Sequence, residues 1–498
     1  MPPAVGHGER RFKQESRPII GGSVGRAPKA QSSAKSLFFL DTPGMVLLSV
    51  GCPRCSGVGM ANESNAQRRH SARNNAFLFG LLLVTSLVFF SLVRDNTFWH
   101  SADFLYLNQS VDMQQSWKNV FVSAPFQPFQ PLVKLVFFAE YLVFGLDAQK
   151  YYLFNILVHS LNAFLVYFLV ITLLKDRTIA LLSSFLFACA VGNYGKAVMV
   201  VSGISDLVIT LLTLLALFLY FKNELEKGGR MRSVWFVGSL AIFILSLLTK
   251  ATSFSILGCM LAFHFFFRSE TKKRVFNRSF VTVAVVAFVA LITKLVFLPD
   301  VSGRQDFFIF DPQVLRNFGS YLVRMVFPIH SSSLVTDSGA VVRFVYKLAT
   351  EIRVVTFLCI LSYSVFGFLF ANRTIRFFIA WTYITVAPFC FFNFPKDWLN
   401  IQYLYLVSVG FIMILSSGTV LAAKLLYQRR WRRFIPYAMP LFFVFLSQFI
   451  IYHLDLNYER LAAAPQTLRM QEGVTAKYEA AHGTVPGSDT GNDGNQRR

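Results

Sequence analysis

Charge is scarce in this chain. Only 15% of its 498 residues are Asp, Glu, Lys or Arg, against about 25% in a soluble globular protein. Apolar residues make up 54%, with 55 Phe among them, and the mean hydropathy is +0.49. That balance excludes a soluble enzyme, a disordered chain and a collagen-like fibre. Period-two alternation of apolar and polar residues is also missing, which excludes an outer-membrane β-barrel. What the sequence has instead is repeated apolar runs of roughly 18 to 24 residues, the length of a membrane-crossing helix. The fold class this predicts is an all-α polytopic membrane protein.

Acidic residues are the scarcer sign, 26 against 48 basic ones, for a net charge of +22. In a soluble domain such an excess points to nucleic acid. Here the basic residues sit in short loops between apolar runs and in the first 75 positions, so they read as membrane topology and contact with lipid, with no nucleic-acid partner. Cysteine is sparse as well. Cys52 and Cys55 form one Cys-Pro-Arg-Cys, but a structural zinc site needs a second ligand pair, and none is nearby. Cys189, Cys259, Cys359 and Cys390 fall in apolar stretches and read as packing residues.

Residues 1–75 are rich in Gly, Ser, Pro, Arg and Lys without periodicity and are expected to be a disordered basic segment. A transmembrane domain is expected over 76–452, with spans near 76–93, 151–174, 178–194, 198–221, 233–248, 252–267, 279–298, 345–370, 377–392, 401–423 and 434–452. The stretches 129–146 and 314–328 are apolar but ambiguous, and charge decides them. If neither crosses and the N-terminus is cytoplasmic, the inner loops 175–177, 222–232, 268–278, 371–376 and 424–433 carry net +14 and the outer segments about −1. Letting 129–146 alone cross would put every basic loop on the wrong side. About eleven spans result, with long outer loops at 94–149 and 299–344 and an external flexible tail at 453–498. Lys134, Glu140 and Asp147 suit a helix lying on the outer interface. Loops this long are usually functional.

Asp103 follows the first span closely and is a candidate base at the membrane surface. By position alone, a solvated loop carboxylate is the stronger reading. Lys134 reads equally as a snorkelling interfacial lysine. Asn155 and His159 lie four apart on one helix face with Asn162 nearby, and interhelical hydrogen bonding suits them better than catalysis. Asp206 and Lys250 fall at membrane depth and at a span end, where an ionisable group faces a partner or a cavity. Asp306 and Asp311 in the second outer loop could shape an acceptor site.

Several short motifs occur in order. They are Asp103; Phe129-Gln130-Pro131-Leu132-Val133-Lys134; Phe144-Gly145-Leu146-Asp147; Asn155-Ile156-Leu157-Val158-His159 with Asn162-Ala163; Val201-Ser202-Gly203-Ile204-Ser205-Asp206-Leu207; Ser246-Leu247-Leu248-Thr249-Lys250; and Tyr403-Leu404-Tyr405-Leu406-Val407-Ser408-Val409-Gly410. Their order and spacing over roughly 95–420 resemble the GT-C superfamily of membrane glycosyltransferases. The closest resemblance is to protein O-mannosyltransferases and the tetratricopeptide-linked transmembrane mannosyltransferases, without the repeats. The resemblance implies a GT-C-like bundle with outer-face juxtamembrane helices in a plasma (inner) membrane of a cell envelope, active face outward. It implies a polyprenyl-phosphate-linked sugar donor and a glycan, lipid or protein acceptor of unspecified kind. Asp103 would be the base and Lys134 and Gln130 would hold the donor phosphate. Asn155, His159, Asp206, Lys250, Tyr403 and Tyr405 would be supporting polar groups. No cofactor is required, and a divalent metal is left open.

The chain departs from the family pattern at Gln130 and Gln402, where Arg is usual, at Ala251 in place of Glu, and at Lys196 in place of an acid. These departures keep a second expectation alive, a catalytically inactive GT-C-like scaffold. A lipid or solute transporter is the rival from another class. It would show inverted repeats and broken helices at the midplane, and the sequence carries no internal duplication.

Overall fold

The structure is a computed structural model. It describes residues 57–94, 96–121, 129–189, 195–225, 230–268, 277–297, 309–326, 340–392, 401–427, 432–450 and 457–482. The chain divides into two units, 1–65 and 66–498, and the described part of the first is the opening of one helix. In chain order the helices are α1 (Gly57–Phe89), α2 (Ser101–Gln115), α3 (Pro131–Phe144), α4 (Ala148–Leu174), α5 (Arg177–Ala188), the single turn α6 (Lys196–Met199), α7 (Ile204–Leu225) and α8 (Arg230–Leu247). They continue as α9 (Ser255–Phe263), α10 (Arg278–Phe297), α11 (Gln313–Val326), α12 (Ala340–Phe370), α13 (Arg373–Cys390), α14 (Leu404–Leu425), α15 (Ile435–Ile450) and α16 (Asn457–His482).

The chain is an integral membrane protein. Among the described residues five stretches are long and apolar enough to cross a bilayer: Ala72–Phe89, Ala148–Leu174, Val201–Leu225, Glu351–Phe370 and Leu404–Leu425. The other expected spans coincide with α5, α8, α9, α10, α13 and α15, whose described residues are shorter or less apolar. Phe77 and Val88 on α1, Phe288 on α10, Phe366 and Phe370 on α12 and Phe442 on α15 are exposed. Such a surface is costly in water and at no cost in hydrocarbon, where the helical backbone satisfies its own polar groups.

Local sequence sets the helix ends. The Asp147 carboxylate accepts the Gln149 N–H at 3.2 Å to open α4, and that of Asp176 accepts the Thr178 N–H at 2.9 Å to open α5. Pro131 takes the first position of α3, where its missing N–H costs nothing. Gly145 closes α3 at φ 57°, a conformation open to glycine at no steric cost.

The segments that the charge count groups on one side touch one another. Lys477 pairs with Asp112 at 3.6 Å, and the outer stretches also meet span ends: the Leu132 N–H donates to Leu248 O at 3.1 Å and the Ile309 N–H to Phe391 O at 2.8 Å. The inner group does the same: Lys424 pairs with Asp176 at 3.3 Å, and Asn277 Nδ2 donates to Glu224 at 2.9 Å.

Two expected disordered regions differ. The basic segment 1–75 is helical from Gly57 onward, as a long apolar helix propagates backwards once nucleated; residues 1–56, with Cys52 and Cys55, lie outside the described residues. The expected flexible tail contains α16. Met470, Val474 and Tyr478 recur every fourth residue along it and pack on the core, an apolar stripe hidden in a polar composition. Residues 483–498 lie outside the described residues.

Candidate active site at one end of the bundle

Asp103 is the third residue of α2, and its first role is to cap that helix. Its Oδ2 accepts the His100 N–H at 3.2 Å, while His100 Nδ1 accepts the Ala102 N–H at 3.3 Å. The two side chains form a reciprocal capping box, His100 standing where Ser or Thr is usual. Asp103 Oδ1 accepts the Ser202 N–H at 2.7 Å, across 99 residues of sequence. Asp103 is completely buried. Burial pushes its carboxyl above the usual carboxylate range, against the opposing pull of His100 and of the Ser202 and His100 hydrogen bonds.

The turn presenting Ser202 is held from below. Asn155 Nδ2 on α4 donates to Val200 O at 3.0 Å and to Val201 O at 3.3 Å. Gly203 makes the turn sterically possible. A Cβ there would sit 1.9 Å from Ala197 O, so the backbone of α6 can approach only a glycine.

One turn along α2 from Asp103, the Tyr106 hydroxyl donates to Gln130 Oε1 at 3.0 Å, and its ring stacks on Phe137 of α3 at 5.2 Å. Tyr106 also lies within electrostatic reach of Asp206 and Tyr403. Asp206 and Lys250 pair at 2.5 Å, and the Lys250 ammonium lies 5.6 Å from the Tyr403 ring centroid. Tyr403 in turn stacks on Phe389 at 4.6 Å. Tyr321 on α11 is within reach of Tyr403 and Arg324, the latter largely buried. Lys134 is buried within α3 rather than extended to a surface, and burial lowers its ammonium. Glu140, also buried, has no hydrogen-bond partner on either oxygen, and burial raises its carboxyl well above the usual range.

The remaining candidates form a separate, deeper network. His159 Nδ1 meets the Tyr405 hydroxyl at 2.7 Å and its Nε2 meets Ala188 O at 3.1 Å, while Asn162 Nδ2 donates to Tyr405 at 3.2 Å. These bonds tie α4, α5 and α14 together.

The structure therefore brings Gln130, Asp206, Lys250 and Tyr403 around Tyr106, with Asp103 one helical turn away. It sets His159 and Tyr405 in the supporting network. Asp306 lies outside the described residues, and the Asp311 carboxylate accepts the Gln313 N–H at 2.7 Å, as a cap for α11. Sequence reasoning missed Tyr106, although it lies three residues from Asp103 and so on the same helix face. It missed Arg324 because nothing in its local sequence sets it apart. Among the described residues no three His, Cys, Asp or Glu side chains converge as metal ligands do.

No family model matches the chain, and no curated protein sequence matches it. Several solved structures are similar to it. ArnT from Cupriavidus metallidurans in the apo state is 15% identical, over 83% of this chain and 78% of that one, with a TM-score of 0.43. ArnT bound to undecaprenyl phosphate is 14% identical, over 81% and 74%, at 0.42. The archaeal oligosaccharyltransferase AglB from Archaeoglobus fulgidus, in complex with an inhibitory peptide and a dolichol-phosphate, is 14% identical over 79% of this chain, at 0.45; this chain spans 55% of its length. The chemistry below rests on this chain's own residues.

The site offers one buried carboxylate with three of its lone-pair positions used, by the His100 N–H, the Ser202 N–H and the Ser202 side chain, and one buried ion pair beside two tyrosines. A carboxylate has about four acceptor positions, so Asp103 keeps capacity for a hydroxyl donor. Loss of either partner from the Asp206–Lys250 pair would leave an uncompensated buried charge, at about 3–5 kcal/mol.

Proposed function

We propose that this protein is a membrane glycosyltransferase that moves a sugar from a polyprenyl-phosphate-linked donor to an acceptor hydroxyl at the outer face, with inversion. The observation that carries this reading is convergence. Asp103, Gln130, Asp206, Lys250 and Tyr403 stand on separate motifs up to 300 residues apart, yet they gather at one end of the bundle. Those motifs are the ones whose order resembles the GT-C superfamily.

In this reading the acceptor hydroxyl donates its proton to Asp103. Its oxygen attacks the anomeric carbon, the bond from that carbon to the phosphate oxygen breaks, and the polyprenyl phosphate departs with the bonding pair. Lys134 and Gln130 hold the phosphate, and a cation there stabilises the negative charge as it grows. A raised carboxyl suits a general base working near neutral pH, a contribution of about 10²–10⁴ in rate. An apolar cavity of about 330 Å³, lined by Leu322, Met325, Cys359, Ile360, Tyr383 and Phe411, lies among α11 to α14 and offers room for part of a lipid chain. The test is to incubate purified protein with labelled polyprenyl-phosphate sugars and membrane extract as acceptor source. Label passing to an extract component supports the reading, and no transfer from any donor removes it.

A second reading, the inactive scaffold, has one observation in its favour. Asp103 is completely buried and both its oxygens already hold backbone N–H groups. It predicts that the Asp103→Asn protein differs from wild type only in stability.

A further inference from the structure

Helix α3 turns its charges inward and its apolar side chains outward. Lys134 and Glu140 are 3% and 4% exposed, whereas Leu135, Leu142 and Val143 are 47%, 58% and 74% exposed. Ala139 is exposed as well, so Leu135, Ala139 and Leu142 form one stripe at spacings of four and three residues. Neither oxygen of Glu140 has a hydrogen-bond partner. A surface helix in water is oriented the other way, with its apolar stripe to the core and its charges to solvent. Half a turn about the axis of α3 would solvate both charges and bury the large apolar groups, each change favourable in water. Hydrocarbon selects the orientation observed, because an ionisable group at membrane depth turns to the protein interior. The neighbouring surface has the same character. The Leu132 N–H bonded to Leu248 O fixes the start of α3 to the end of α8, and there Ile244, Leu245 and Leu248 are exposed. Trp117 and Phe121, on the turn ahead of α3, are exposed too, and tryptophan favours the headgroup level of a bilayer.

We propose that the outward face of α3 is a lipid-contact surface, seated in the acyl chains of the leaflet at the Asp103 end of the bundle. The 14 residues of α3 reach about 21 Å at about 1.5 Å each, short of the roughly 30 Å hydrocarbon core, so the helix embeds in one leaflet without crossing. Lys134 and Glu140 then face the protein from a helix whose other side is in lipid. Phe137 on the inner side stacks on Tyr106 at 5.2 Å, and Tyr106 donates to Gln130, so a single helix separates this polar pair from the bilayer. The surface does not rest on the transfer reading.

The test uses the full wild-type chain and a phosphatidylcholine that carries an aryl diazirine near the glycerol end of one acyl chain. After photolysis, labelled residues are mapped by mass spectrometry of the digested protein, from nanodiscs holding a single copy and from liposomes at high protein density. Label on Leu135, Ala139, Leu142 and Val143 is expected in both, comparable with that on Ile244 and Leu245 of α8. It should exceed label on Gln149 and Lys150, exposed at the opening of α4, by about tenfold or more, since an acyl chain seldom leaves hydrocarbon. An unlabelled α3 beside a labelled α8 would overturn the surface and place the stripe against water or another part of the chain. Label in nanodiscs that disappears in crowded liposomes would also overturn it, because a second copy would then be the occupant. The readout involves no sugar, so transfer can fail while the surface stands, and the surface can fail while transfer stands.

Discussion

Asp103 caps α2, grips the Ser202 turn and is the candidate base, and these roles constrain one another. Because burial raises its carboxyl, the account predicts that sugar transfer rises with pH through an acid limb above the ordinary carboxylate value of about 4. The sign follows from the chemistry, as only the ionised form accepts a proton. The rate against pH checks this, and a limb at or below that value contradicts it. Glu140 gives a contrasting case. Its carboxyl is buried without a hydrogen-bond partner, and burial raises it well above the usual carboxylate range. An orphaned buried polar group costs about 1–3 kcal/mol, so Glu140→Met should raise the melting temperature. The gain should grow as pH rises, because the carboxyl's raised value makes the native state of the wild type lose stability as ionisation is forced. Melting curves at several pH values check it. Asp103 and Lys250 were legible at this scale because they interrupt apolar context. Arg324 was not, since an arginine on an amphipathic helix looks like a solvated one until its packing is known.

Among the elements, the turn from α6 into α7 matters most for the site. Gly203 lies where a Cβ would meet Ala197 O at 1.9 Å. Gly203→Ala must push the two backbones apart, which moves the Ser202 N–H away from Asp103. A loss of about 2–4 kcal/mol is expected, combining steric displacement with a lost charged hydrogen bond. The check is thermal unfolding together with transfer rate, and both should fall. Helix positions followed from apolar periodicity, while the charge argument bears only on the side where α3 and α11 lie. What sequence left unread was α16. Its Met470, Val474 and Tyr478 stripe is three residues wide in a segment whose average is polar, and an average over a window hides a stripe that narrow. The pairing of Asp206 with Lys250 was likewise open, because two groups 44 residues apart are joined only by the folding of α7 against α8.

Within residues 66–498 the pairs Lys477–Asp112 and Lys424–Asp176 each join segments that the net +14 and −1 charge count places on the same side. The account assigns the end holding Asp103 to the outside. A reporter placed after Asn492 should therefore read external, and a cytoplasmic signal would reverse the assignment of both ends. The central claim is that sugar transfer depends on a carboxylate at position 103. The measurement is the rate of label transfer from a polyprenyl-phosphate sugar by wild type and by Asp103→Asn, in nanodiscs, at matched amounts of folded protein. Matching is needed because Asn weakens the α2 cap and is expected to cost about 0.5–2 kcal/mol of stability. The account predicts a fall of about 10²–10⁴ in the rate per folded molecule. Equal rates for the two folded proteins would contradict it.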